Sequence, residues 1–160
     1  MSDAEQMGFD IEFDEKTKAF LDWVAPERME SQIRSFLATT VPGIADYDGP
    51  WWKPAALTRI LDATLELFGD WEAFGAPENH DRADQFVRFL GECCIKQHPG
   101  MAWTNEPGTG APLYFEFGPA VHLIDSGLGE TMLSLARELF MENYGPRMVE
   151  YSIQKAGEPI

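Results

Sequence analysis

Basic residues are scarce in this chain. Twelve Lys and Arg stand against 27 Asp and Glu over 160 residues, a formal net charge of −15. A surface of that sign repels phosphate backbones and argues against a nucleic-acid reader. It suits a basic protein partner, whose encounter the field would speed. Long apolar runs are missing too, since nothing nears the ~18–20 residues that a membrane span needs. The opening M-S-D-A-E-Q-M-G is polar and acidic, unlike a secretory leader. Cysteine is limited to Cys93 and Cys94. Adjacent residues fit disulfide geometry poorly, so both are expected to be thiols in a reducing compartment, the cytoplasm.

Metal and cofactor motifs are also lacking. There is no C-x-x-C and no H-x-x-x-H, and the only obvious soft donors are Cys94, His98 and His122. Cys93 lies about 100° away around a helix and reads with Cys94 as a small apolar residue of the Phe86/Val87/Leu90 face. Late in such a face a thiol is raised in pKa rather than activated, which disfavours a Cys–His nucleophile pair. The glycine-rich Glu106-Pro107-Gly108-Thr109-Gly110 has no following Lys-Ser/Thr and precedes a strand, so its glycines are turn residues. No metal, catalytic residue or cofactor is expected.

What is present reads as one α+β domain over 1–160, with 1–12 a loose acidic arm. Asp14 is a plausible helix cap, followed by Thr17, Phe20, Leu21 and Val24 at helical spacing behind Phe13. Pro26 opens a second helix burying Met29, Ile33, Phe36 and Leu37. Thr39 to Pro54 dissolves into a long loop. Leu57, Ile60, Leu61, Thr64, Leu65 and Phe68 then give the clearest amphipathic stripe, stopped near Gly69, with a short turn at Trp71–Phe74. Asp84 to Gln97 is the central helix, and it feeds through Pro99-Gly100 into Met101–Thr104. The alternation of Leu113–Phe117 and the run Ala120–Ile124 complete a three-stranded antiparallel meander. Leu128, Met132, Leu135, Ala136 and Leu139 mark a last helix closed by Gly145-Pro146, and Met148–Ile153 adds a fourth, edge strand. Phe86, Leu90, Trp103, Phe115, Leu135 and Leu139 should share one core.

Charge is unevenly spread. Residues 1–30 hold nine acids against three bases, and 61–90 hold seven against two. Asp81 and Asp84 lie in the second cluster. On the central helix, Gln85, Arg88, Glu92 and Lys96 form a polar stripe whose i, i+4 pairs predict ordinary surface pairing. The loop Asp46-Tyr47-Asp48-Gly49-Pro50-Trp51-Trp52-Lys53 is different. Two adjacent tryptophans do not easily both point into a core, and aromatic rings are favoured interface anchors. Trp51, Trp52, Tyr47, Asp46, Asp48, Asp81 and Asp84 are therefore the candidate partner-binding residues. The structural alternative has one tryptophan capping the third helix and the other packed under the loop.

The run R-F-L-G-E-C-C-I-K-Q-H-P-G-M-A-W-T-N with G-A-P-L-Y-F-E-F-G resembles small bacterial domains of unknown function, of the actinobacterial type. The matching positions are Phe89, Leu90, Gly91, Gly100, Trp103, Gly110 and Pro112, in a motif covering about a third of the chain. The resemblance implies a helix packed closely on a sheet at Gly91, with Trp103 filling the gap, and carries over no catalytic residue. Some similar acidic domains are encoded near secreted toxins and look like immunity proteins. The chain is thus expected to be a cytoplasmic, non-enzymatic binder of a basic protein, with an immunity-type inhibitor as its concrete form. The alternatives are a small hydrolase-like enzyme using loop carboxylates such as Asp46 and Asp48, and a structural or assembly protein. Oligomeric state is not legible in the sequence.

Overall fold

Apolar spacing, prolines at helix starts and glycines at helix ends place most of the elements. The computed structural model describes residues 15–41, 43 and 49–158. The expected acidic arm, the Asp14 cap, Phe13, Asp46, Tyr47 and Asp48 lie outside the described residues. Helix α1 covers residues 15–23. Helix α2 (Pro26–Thr40) has Pro26 in its first turn and buries Met29, Ile33, Phe36 and Leu37, as their spacing predicts. Helix α3 (Ala56–Phe68) buries Leu57, Ile60, Leu61, Thr64 and Phe68 and ends at Gly69, whose φ of 85° suits glycine. Asp70 then caps the short α4 (Trp71–Phe74), accepting from the Ala73 N–H at 2.8 Å.

A 3-10 turn (Pro77–Asn79) leads into α5 (His80–Gln97), the centre of the molecule. It packs against α2, β1, β2 and the last two helices, α6 (Met132–Glu138) and α7 (Pro146–Lys155). The sheet is antiparallel in the order β1 (Met101–Asn105), β2 (Pro119–Leu123), β3 (Gly129–Thr131). Trp103 pairs with Val121 across β1–β2, and Val121 with Glu130 across β2–β3. Gly91 and Trp103 meet as the resemblance implied: a Cβ on Gly91 would lie 1.9 Å from Trp103 Cη2. The architecture is α+β, helices flanking a small sheet.

Several elements differ from expectation. Leu113–Phe117 is no strand: the Leu113 and Tyr114 N–H groups both bond back to Gly110 O, at 3.0 and 2.7 Å, so the segment closes on itself as turns. Leu113, Tyr114 and Phe117 are buried, but Phe115 is 85% exposed and leaves the expected core. The third strand is Gly129–Thr131, where the bare Gly129 allows close approach to Val121 O. Leu128 lies in the loop before it and α6 starts only at Met132. Met148–Ile153 is helical, within α7, because Pro146 opens a helix and Val149 and Ile153, one turn apart, are its buried pair. On α1 the core residue is Trp23, while Leu21 is exposed. Phe86, Leu90, Leu135 and Leu139 are buried as expected, and Trp103 is half-buried.

Candidate functional site

Two concavities share helix α5, and its polar stripe supplies residues to both. Arg88 is not on the surface. It is fully buried and paired through Nε with Asp84 Oδ2 at 2.9 Å, rather than with Glu92. Its Nη1 donates to Trp23 O at 2.7 Å, and its guanidinium stacks on the Trp23 ring at 4.3 Å. Asp84 also accepts from Trp23 Nε1 at 2.7 Å and from the Tyr114 hydroxyl. Burial first, then the Asp84 charge, raises the Tyr114 pKa well above the usual phenol value and keeps it a donor. Asp84 is therefore the hub of an internal network, holding α1, α5 and the 110–118 segment together. With three donors on it, its carboxylate is poorly placed to act as a free base.

The first concavity is an open groove of about 610 Å³ above this network. Trp23, Tyr114 and Phe117 form its aromatic wall, with Tyr114 and Phe117 stacked at 5.0 Å. Exposed Asp22, Asp81 and Glu116 line it, as do the exposed basic side chains of Arg28 and His80, the latter with Nε2 3.2 Å from Leu113 O. Phe115 stands at its edge. Asp81, a sequence candidate, is thus an exposed groove residue, and Asp22, Phe115 and Glu116 join it from α1 and the turn segment.

The second concavity, about 460 Å³, lies between α2, α5 and the Trp51–Trp52 loop. Both tryptophans are half-buried, edge to face at 5.3 Å. Trp51 leans on the buried Phe89 ring at 5.4 Å, while Gln97 Nε2 donates to the Trp52 carbonyl. Lys96, exposed, holds its ammonium 5.7 Å from the Trp51 centroid and 5.3 Å from that of Trp52. Glu92 faces the same cleft, and burial raises its pKa against the opposing pull of Lys96. The Trp103 indole N–H also opposes that rise, although it makes no hydrogen bond of ordinary geometry. Glu30 and Arg34 pair with each other at the edge.

The cysteines and histidines take structural places. Cys93 and Cys94 are buried free thiols. Burial, with a smaller push from Glu130, drives Cys94 up to about 12, and burial holds Cys93 well above its ordinary value. His98 Nε2 is 2.7 Å from Ile153 O, so that nitrogen carries the proton, and His122 lies in β2. Among the described residues, no group of three His, Cys, Asp or Glu side chains is placed to hold a metal ion.

No protein-family model, curated protein or solved structure matches this chain. Sequence reasoning singled out Trp51, Trp52 and Asp81 but missed Asp22, Glu116 and Phe115 as neighbours of one groove. Only the turn at Gly110, which folds the 113–117 segment back, brings them together.

Proposed function

We propose that this chain is a non-enzymatic, cytoplasmic protein-binding domain, steered to a basic partner by its acidic surface and anchored on it by the Trp51–Trp52 cleft. An immunity-type inhibitor of a basic toxin is its concrete form. The observation that supports this most is Lys96. The chain parks its own exposed cation over both indole rings, in a cleft also lined by Glu92 and by the Glu30–Arg34 pair. A partner's arginine or lysine would take that place while Lys96 swings into solvent. The two rings have separate duties. Trp51 ties the loop to Phe89, whereas Trp52 has Trp51 and Lys96 as its ring neighbours and is the binding anchor. The buried thiols fit a reducing compartment, and among the described residues no helix is long and apolar enough to cross a membrane.

The test is kinetic. A tagged form captures its partner from the source cells, and Trp52→Ala and Lys96→Ala are compared against that partner. Trp52→Ala should raise the dissociation rate roughly tenfold or more with an unchanged melting temperature. Lys96→Ala should lower it, because the rings are then vacant. The proposal fails if both variants dissociate like the parent, or if the captured partner is acidic.

A further inference from the structure

Trp51 and Trp52 set two aromatic surfaces at a right angle, their rings crossing at 90° with centroids 5.3 Å apart. The corner is braced, Trp51 by the buried Phe89 ring and the Trp52 carbonyl by Gln97. Two perpendicular faces suit a compact tetrahedral cation. A planar guanidinium lying flat on one ring would turn only its edge to the other. Lys96 marks where such a cation sits, with Nζ 5.7 Å and 5.3 Å from the two centroids. At that distance a bare ammonium leaves a gap to both rings. A methyl carbon stands about 1.5 Å from its nitrogen. Methyl groups on a nitrogen in that place would therefore lie about 4 Å from each ring, close to the separation at which carbon atoms attract most. They also replace N–H groups that water binds strongly, so entering the cleft gives up less hydration.

We propose that the Trp51–Trp52 cleft takes a trimethylated lysine of the protein partner, with Lys96 as a built-in competitor. The inference rests on the cleft reading above and narrows which cation enters. Lys96 is tethered beside the rings at a high effective concentration, so a plain lysine has to displace its own equivalent. Every outside cation is weakened by the same factor, and the one that fits the rings best stays bound. Glu92 supplies negative charge in the cleft, while Glu30 and Arg34 offset each other at its edge. Ile33 and Leu37 of α2 line the same space and give the methylene stem of a lysine an apolar surface. At about 460 Å³ the cleft holds that stem as well as the trimethylammonium head, which favours a side chain over a free choline.

The probe is a fluorescently labelled glycine–serine peptide with one central trimethyllysine, followed by anisotropy at near-physiological salt. Its unmethylated counterpart should bind at least about tenfold more weakly. So should a neutral isostere with carbon in place of the quaternary nitrogen. These arms use the parent protein and do not depend on any variant folding. Trp52→Ala should abolish probe binding and Trp52→Phe should retain it in weaker form. Lys96→Met should tighten the methylated and unmethylated peptides by the same several-fold factor, leaving their ratio unchanged. As competitors, N-acetyl-trimethyllysine N-methylamide should displace the probe at roughly a tenth of the choline concentration. Absence of saturable probe binding overturns the proposal, as does equal affinity for the methylated and unmethylated peptides. Equal binding of the neutral isostere reduces the cleft to an apolar slot and overturns it too. Equal displacement by choline assigns the site to a free quaternary ammonium and overturns the choice of lysine. If methylation makes no difference while the captured partner leaves Trp52→Ala about tenfold faster, this proposal falls and the cleft reading stands. If the trimethyllysine probe requires Trp52 while the captured partner's dissociation is unchanged in Trp52→Ala and Lys96→Ala, the methyl preference stands and the cleft reading of that partner falls.

Discussion

Asp84 and Asp81 differ by three positions in sequence and by most of their physics. Asp84 takes hydrogen bonds from Trp23, Tyr114 and Arg88, so Asp84→Ala strands a buried guanidinium and should cost about 3–5 kcal/mol. Asp81→Ala, at an exposed position, should stay within about 0.5 kcal/mol. Urea denaturation of the two variants measures both. The sequence could not make this distinction, because Arg88 stands four residues from both Asp84 and Glu92, and helical spacing allows either pair. Trp23 and Tyr114, 61 and 30 residues from Asp84, decide it, and such distant partners leave no local trace. The cysteines were more legible, since an apolar stripe alone implies buried thiols. With Cys94 raised to about 12 and Cys93 raised as well, alkylation by iodoacetamide at pH 8 should be slow in the folded protein and fast in urea.

At the scale of elements, the contact of α5 with the sheet depends on one missing side chain. Gly91→Ala would gain about 1 kcal/mol of helix propensity. Its new methyl would, however, lie 1.9 Å from the Trp103 ring, and neither the ring nor the helix can yield cheaply. The variant should be destabilised by about 1–3 kcal/mol or more, read as a lower urea midpoint. Helices with long apolar stripes, α2 and α3, were legible down to nearly all their buried residues, as was the face of α5 apart from Ala83, Phe89 and the Arg88 expected on its surface. Short elements were not. Met148–Ile153 is rich in residues that favour strands, yet Pro146 in the first turn and the Val149/Ile153 pair make it α7. In Leu113–Phe117 the alternation of Leu113, Phe115 and Phe117 mimics a strand, and only the closure onto Gly110 reveals a turn. That misreading also hid the groove, because a strand there would have turned Phe115 inward.

Across the whole molecule, charge governs how stability responds to solution conditions. Burial raises the pKa values of Glu92, Glu130 and Glu138 above the ordinary 4.5, and Glu138 adds to the rise at Glu130. A carboxyl group raised in this way binds more protons folded than unfolded. Stability is therefore greatest below the ordinary value and falls as pH climbs through the raised ones. Glu130→Gln should raise the melting temperature at pH 7 and shrink its fall between pH 4.5 and 7. The net charge of −15 works in the same direction, so added salt should raise the melting temperature at neutral pH. Fold class was legible at this scale because periodicity and punctuation survive averaging over many residues. The joining of distant segments into a groove was not.

Helix α5 also serves as a ruler. It offers Asp84 to one concavity and Glu92 to the other, eight residues and therefore about 12 Å apart along its axis. A rigid helix allows little slack in that interval. Any single molecule that touches both must bridge it, a stretch of about four residues for an extended chain at roughly 3.3 Å each. Eight residues also turn the helix by about 80°, so inserting one residue between those positions would carry the two stations to about 180°. The two concavities would then open on opposite sides, even if each kept its own walls.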